Sequence, residues 1–390
     1  MAYEFKFVAD AVLRGKAYPA LAKWQAVPYT PEWRNFVYNW PYTVPCELHE
    51  HCETHGFPYS ISDVGDYYTI GLGFFNFDID YFDLIPSHIL ESKTPVLFYY
   101  HEGDNPYTIK QRLDQLCQQH GLSTTCYQFI SGNTAADNIP GFHYFPDHEL
   151  LYWHRNRQTV PDPINLTSRT YDFTLLSRTH KWWRATVVAD LHRRNLLDRS
   201  QWSYNTVNIG DQEDHNPIEI DYFDGLRSDV KTFLAEAPYT CDFHNTDDHN
   251  NHHMIVPAHY SDSYCNIVLE THFDADGSGG AFLTEKTFKP IKHGQPFVIV
   301  GPPGTLQALR DLGYRTFDHA IDNSYDLETN NTQRWIRVRH AIEQIKQQNL
   351  EQWFLSCLDD IKHNQQLFLS SKYNRLNTLY DKLLHQLATT

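Results

Sequence analysis

From Tyr264 to Val300 the chain reads YCNIVLETHFDADGSGGAFLTEKTFKPIKHGQPFVIV, and the order of its parts decides the fold. An apolar strand ends in Glu270, a flexible Gly-rich loop follows, a helix starts at Thr284-Glu285-Lys286, and Phe297-Val298-Ile299-Val300 suits a buried parallel strand. Strand, loop, helix, strand is the order of a doubly wound α/β sheet. The helix start places a threonine, a carboxylate and an ammonium on one turn. Its free N–H groups and the positive end of its dipole favour phosphate, and Lys286 adds a full charge. Glu285 suits the hydrogen bonds of a ribose diol, so the pattern points to a nucleotide diphosphate. The plainer alternative is an ordinary capped helix, with Thr284 as N-cap, Glu285 complementing the dipole and Lys286 in solvent.

Beyond Val300, Gly301-Pro302-Pro303-Gly304 turns the chain into a helix from Thr305 to Leu312 that Gly313 stops, and Tyr314 to Phe317 is expected as a last strand. From Thr332 onward the apolar spacing is helical, with Ile336, Ala341, Ile342 and Ile345 first and Leu376, Leu379, Leu383 and Leu387 near the end. One such stripe packs on a domain surface or, in the rival reading, on a coiled-coil partner. Upstream, Tyr171 to Leu176 reads as a strand ending at Ser177-Arg178, and the next helix carries Lys181 and Arg184. These three cations are three residues apart and are expected near one side of the first turns, as a second diphosphate clamp or as a solvated face. The proline-bearing run Thr159-Val160-Pro161-Asp162-Pro163 marks the expected domain boundary.

Before that boundary, Tyr67–Leu72, Pro95–Tyr100 and Thr125–Ile130 read as strands, and Phe82–Ser92 as a short helix. Asn105 and Pro106 fit the N-cap and first position of a helix running through about Gln119, with Ile109, Leu113 and Leu116 on its apolar side. Residues 1–60, rich in proline and aromatics, read as an edge element or an acceptor-recognition cap. The resulting division is an acceptor-side α/β domain at 1–163, a donor-binding α/β domain at 164–331 and C-terminal helices at 332–390 that pack back on the domains.

Leu269-Glu270-Thr271, then Phe282-Leu283-Thr284-Glu285-Lys286, then Gln295-Pro296-Phe297-Val298-Ile299-Val300-Gly301 resembles the donor-site signature of the fucosyltransferase-like branch of GT-B glycosyltransferases. In that signature a Phe-Glu-Asn-Ser strand end, a Tyr-x-Thr-Glu-Lys helix start and a Val-Pro-Val-Val strand hold the nucleotide sugar. Here Thr271 stands in place of Asn, Phe282 in place of Tyr, and the loop from His272 to Ala281 is longer. The chain is also similar, along most of its length, to phage glycosyltransferase-like proteins that share the Thr-Glu-Lys-x-x-Lys-Pro-Ile pattern. The resemblance implies two Rossmann-like domains facing a cleft, a C-terminal helix returned to the first domain, and a phosphate-binding arginine that Arg178 or Arg184 supplies. It further implies a nucleotide-diphosphate sugar as co-substrate, no tightly bound cofactor and a hydroxymethylated DNA base as one acceptor class, while the acidic, aromatic-rich composition suits a glycan or small metabolite.

Composition agrees with a two-domain enzyme. The 390 residues are long for one domain, and 41% hydrophobic residues suffice for two cores. Aromatic residues at 15% argue against disorder, and some of the rings are available to line a groove for sugars or bases. A net charge of −16 repels nucleic acid unless basic residues are locally concentrated, for which Arg193, Arg194, Arg199, Lys289 and Lys292 are the candidates. There is no long apolar run and no signal-peptide core, and seven widely spaced cysteines fit reduced thiols, so a cytoplasmic location (the host cytoplasm for a phage protein) is expected, with no membrane partner.

For the transfer chemistry, Arg178, Lys181, Arg184, Lys286 and Lys289 suit charge developing on a leaving pyrophosphate, together with Glu270, Thr284 and Glu285 at the donor. The acceptor's base is sought after the Pro95–Tyr100 strand, where Glu102 and Asp104 sit at the carboxyl end of a sheet, with Asp78, Asp80 and Asp147 as rivals. Asp78-Ile79-Asp80 also matches the Asp-x-Asp metal site of a GT-A transferase, and a catalytically idle nucleotide-sugar or glycan-binding protein is a third reading. His49, His51 and His55, and His244, His249, His252, His253 and His259, form two dense groups without finger or zincin spacing and are expected at the surface.

Overall fold

The computed structural model describes residues 4–8, 47–62, 66–72, 75–150, 160–207, 218, 226–241 and 256–387. The chain divides into two compact units, one comprising Met1–Asn156 with Ser370–Thr390 and the other Arg157–Leu369. The segment expected as 332–390 is therefore shared: its helices up to Leu369 belong to the second unit, and the last stretch belongs to the first.

The N-terminal unit is built on strands β3 (Tyr68–Leu72), β4 (Val96–Tyr100), β5 (Tyr127–Ser131) and β6 (Phe142–Tyr144), parallel and adjacent in that order. A parallel pair, β1 (Phe5–Val8) and β2 (Tyr59–Ser62), accompanies it. β4 is apolar along its whole length because both of its faces are covered, as parallel sheets require. Phe98 and Tyr100 pack in one cluster with Ile109, Leu113 and Leu116 of the helix Pro106–Gln119, whereas Leu97 and Tyr99 pack in another with Leu48, Leu376, Leu379 and Leu383. The helix Lys372–Leu387 thus supplies one cover of the N-terminal sheet. Its start is fixed by Glu149, fully buried, which accepts from Ser371 Oγ at 2.7 Å and Arg375 Nε at 2.9 Å.

The C-terminal unit holds β7 (Tyr171–Thr179), β8 (Gln201–Val207), β9 (Ser263–Leu269) and β10 (Phe297–Val300), all parallel, in the order β10-β9-β7-β8. From β7 the chain runs through the helix Trp182–Arg193 to β8 on one side; from β9 it runs through the helix Glu285–Lys292 to β10 on the other. The strand order reverses between β7 and β9, and outside the carboxyl ends of such a pair open α/β sheets leave a crevice for ligands.

Three local expectations are corrected. Tyr314–Phe317 is not a strand: Asn364 donates to the carbonyl of Arg315 and accepts from its N–H, both at 2.8 Å, occupying the groups a neighbouring strand would use. The Gly-rich loop is anchored rather than loose, with a helical turn at Ala275–Ser278 capped by Asp274 and Asn331 Nδ2 donating to the same carboxylate at 2.9 Å. Arg334 ties that loop to its surroundings, donating to the carbonyls of Phe273, Gly301 and Glu328 while its guanidinium lies 4.4 Å from the Phe273 ring centre. Finally, Arg178 lies within β7 and Lys181 is the extended N-cap residue, so Arg178, Lys181 and Arg184 do not form one helical face.

Candidate functional site

At the carboxyl end of β9 the backbone passes directly from Leu269 to Glu270, whose carboxylate is fully buried. Oε1 accepts from the Thr284 N–H at 3.1 Å and Thr287 Oγ1 at 2.5 Å; Oε2 accepts from the Thr271 N–H at 3.1 Å and Thr284 Oγ1 at 2.7 Å. Glu270, proposed by sequence as a ligand-binding residue, here spends both oxygens fastening the first turn of the helix Glu285–Lys292 to the end of β9. Thr284 is the N-cap, its Oγ1 accepting weakly from the Lys286 N–H at 3.4 Å.

Two ammonium groups then meet on Thr271 from different elements. Lys181 Nζ donates to its carbonyl at 2.7 Å, and Lys286 Nζ donates to its Oγ1 at 3.1 Å and to Thr284 Oγ1 at 2.9 Å. Glu285 Oε1 stands 3.5 Å from Lys286 Nζ. Arg184 is buried beneath, donating to the carbonyls of Glu270 and Thr179, and burial pushes its guanidinium down to about 10 against the pull of Glu270 and Glu285. Lys289, one turn along the helix, is pushed down to about 8 by burial, with Glu285 opposing and the charges of Lys286 and Arg178 adding to the depression. Arg178, Lys181, Arg184, Lys286 and Lys289 are therefore gathered around the switch point, with Glu270, Thr284 and Glu285 among them. Ser177 Oγ and Arg184 Nε are buried there without a hydrogen-bond partner among the described residues.

Sequence reasoning did not place Thr287 or Ser177 in the site. A Thr-x-x-Thr spacing at the helix start was the signal for Thr287, since residues three apart lie on one side of a helix. Arg193 and Arg194 both bind the buried Asp190, at 3.0 and 2.9 Å, Arg199 lies 3.5 Å from Asp172, and Lys292 is buried.

Glu102 and Asp104 lie in the N-terminal unit, at the carboxyl end of β4. Asp104 accepts from Tyr100 OH at 2.5 Å, and Glu102 Oε1 is 3.5 Å from His101 Nε2. Their loop is held by Gly132 N–H to the Glu102 carbonyl at 3.1 Å and Asn133 Nδ2 to the Gly103 carbonyl at 2.9 Å. The rival Asp147 is buried: its Oδ1 faces His51 Nε2 at 2.7 Å and accepts from Tyr99 OH, and the His51 contact and the neighbouring His101 and His148 hold its carboxyl below the usual range although burial alone raises it. His51 and His259 are thus buried rather than at the surface, as interior imidazoles are when partnered. His244, His249, His252 and His253, and the side chain of His49, lie outside the described residues. Asp78 is exposed; among the described residues, the three ligating groups that gather within 4.8 Å are those of Asp80, Asp83 and His120, where His120 Nε2 is 2.9 Å from Asp80.

The chain matches no protein-family model and no curated protein. Among solved structures it is similar to a β-glucosyltransferase described as a DNA-modifying enzyme with uridine diphosphoglucose as substrate, at 9% identity over 97% of this chain and 98% of that one, with a TM-score of 0.39. A likeness at that level carries no argument about chemistry. Among the described residues no helix is long and apolar enough to cross a membrane.

Proposed function

We propose that this protein is a glycosyltransferase whose C-terminal unit binds a nucleotide-diphosphate sugar and that the sugar passes to an acceptor hydroxyl. The observation that carries the reading is the meeting of Lys181 and Lys286 on Thr271, beside a capped helix start, at the switch point of a parallel sheet. The resemblance of this segment to the fucosyltransferase-like donor signature supports the same reading.

In such a transfer the bond between the sugar's anomeric carbon and the diphosphate oxygen breaks, and negative charge gathers on the leaving diphosphate. Lys181, Lys286, Lys289 and Arg178 stabilise that charge, and Arg184 braces the strand end beneath them. Glu285 accepts hydrogen bonds from the ribose, and Glu270 with Thr284 fixes the turn that presents them. The acceptor O–H loses its proton to a base, for which Glu102 and Asp104 are the candidates. Glycans, small metabolites and hydroxymethylated DNA bases are the acceptor classes to offer.

Thermal-shift and calorimetric titration with nucleoside diphosphates and nucleotide sugars tests the reading, because a ligand selective for the folded state raises apparent stability. Lys286→Ala and Lys181→Ala are each expected to weaken diphosphate binding about tenfold or more, as lost charge-assisted hydrogen bonds do. A folded wild-type protein that binds no nucleotide overturns the proposal. Binding without transfer or hydrolysis across a wide acceptor panel supports a nucleotide-sugar-binding protein instead, and activity lost to chelator and restored by manganese supports the metal-dependent reading at Asp78 and Asp80.

A further inference from the structure

The N-terminal unit contains a pair of thiols, packed in its apolar core, that the donor chemistry does not use. Cys117 lies in the last turn of the helix Pro106–Gln119 and is fully buried; Cys126 is half-buried and immediately precedes β5. Their sulfurs are 3.8 Å apart. The backbone on either side is fixed, with Leu122 N–H bonded to the Cys117 carbonyl at 2.8 Å, Cys126 N–H to the Ser123 carbonyl at 3.0 Å and Val96 N–H to the Cys126 carbonyl at 3.0 Å. A disulfide needs the two sulfurs at about 2.05 Å, a further closure of under about 2 Å.

We propose that Cys126 and Cys117 form a thiol–disulfide exchange site that takes a low-molecular-weight disulfide, Cys126 as the attacking sulfur and Cys117 as the resolving one. Cys126 is the more accessible of the two sulfurs, and the contact between them lowers its proton affinity while that of the buried Cys117 is raised, so Cys126 is the better thiolate. In the first step the Cys126 thiolate attacks one sulfur of the small disulfide; the S–S bond breaks, a mixed disulfide forms on Cys126, and the first small thiolate leaves and takes up a proton. In the second step Cys117 gives up its proton, attacks the Cys126 sulfur and expels the second small thiol. Two protein thiols are oxidised and one small disulfide is reduced to two thiols, with no other reactant. The product ties the end of the helix covalently to the start of β5. Of the other described cysteines, Cys52, Cys265 and Cys357 are buried and Cys241 is half-buried.

The test treats the reduced full-length protein with oxidised glutathione, alkylates the remaining thiols and maps tryptic peptides by mass. No lysine or arginine lies between the two cysteines, so both fall in the one peptide from Leu113 to Arg155. In wild type this peptide is expected unalkylated and two hydrogens lighter. Cys117→Ser is expected to stop at a glutathione adduct on Cys126, and Cys126→Ser to leave Cys117 alkylatable. Wild-type protein that is alkylated at both positions, or that keeps a glutathione adduct on Cys126, overturns the proposal. The wild-type map decides the matter without the variants should either of them fail to fold.

Discussion

Glu270 illustrates what a single residue does at the donor turn. Its carboxylate accepts four hydrogen bonds from Thr271, Thr284 and Thr287 and shows nothing to solvent. Glu270→Ala leaves the buried donors of Thr284 and Thr287 without partners, each at a cost of about 1–3 kcal/mol, so urea unfolding is expected to show a loss of about 3 kcal/mol or more together with lost nucleotide binding. Glu270→Gln turns an amide N–H₂ toward donors and is expected to lose less stability but to displace the turn, weakening diphosphate binding. An unchanged binding constant in a folded Gln variant would remove Glu270 from the positioning role. The sequence made Thr284, Glu285 and Lys286 legible, because a cap and a first turn are local. It did not reveal how Glu270 is used, since Thr284 and Thr287 lie 14 and 17 residues further on and meet it only when β9 and the next helix are packed. Asp147 and His51, 96 positions apart, are beyond any spacing argument.

At the scale of elements, legibility followed local punctuation. The helix Pro106–Gln119 begins where Asn105 and Pro106 place it, with the Asn105 side chain accepting from the Tyr107 N–H at 3.0 Å. Tyr314–Phe317 has the apolar residues of a strand, but Asn364, some 49 positions away, takes its backbone groups, and only tertiary structure reveals that. The helix Lys372–Leu387 offers a pH test. Burial pushes the Lys372 ammonium down to about 7, with Glu149 opposing and Arg375 reinforcing the depression. Between that value and the ordinary lysine range near about 10.4 the unfolded chain binds a proton that the folded chain does not, so stability rises with pH across this window; each tenfold difference in proton affinity is worth about 1.4 kcal/mol. Lys372→Met is therefore expected to raise Tm at pH 7–8 and to flatten the rise toward pH 10, read by calorimetry at a series of pH values. An equal slope in both proteins would contradict this assignment.

For the whole molecule, the last helix shows what an apolar stripe leaves open. An apolar stripe at Leu376, Leu379 and Leu383 says that a helix has a buried face; it does not say which sheet receives it. The receiving cluster contains Leu97, Tyr99 and Ile130 of β4 and β5, together with Tyr67 and Leu48. Ending the chain at Leu369 removes Leu376, Leu379, Tyr380 and Leu383 from that cluster, at about 2 kcal/mol or more for each large buried side chain, a sum comparable to the whole stability of a domain. The truncated protein is expected to lose protection from proteolysis within residues 1–150 while the Arg157–Leu369 unit keeps its resistance and its nucleotide response. Equal resistance of both parts would show the helix to be dispensable.

The order in which a ribosome delivers these parts adds a constraint of time. The stretch that completes the N-terminal core is made only after the roughly 200 residues of the other unit. At about 5–20 residues per second, that interval is about 10–40 s, during which the first sheet has emerged with one of its covers still unmade. Nascent chains stalled before Ser370 should therefore hold the first unit in a form that chaperones recognise, and release of the last helix should end that recognition.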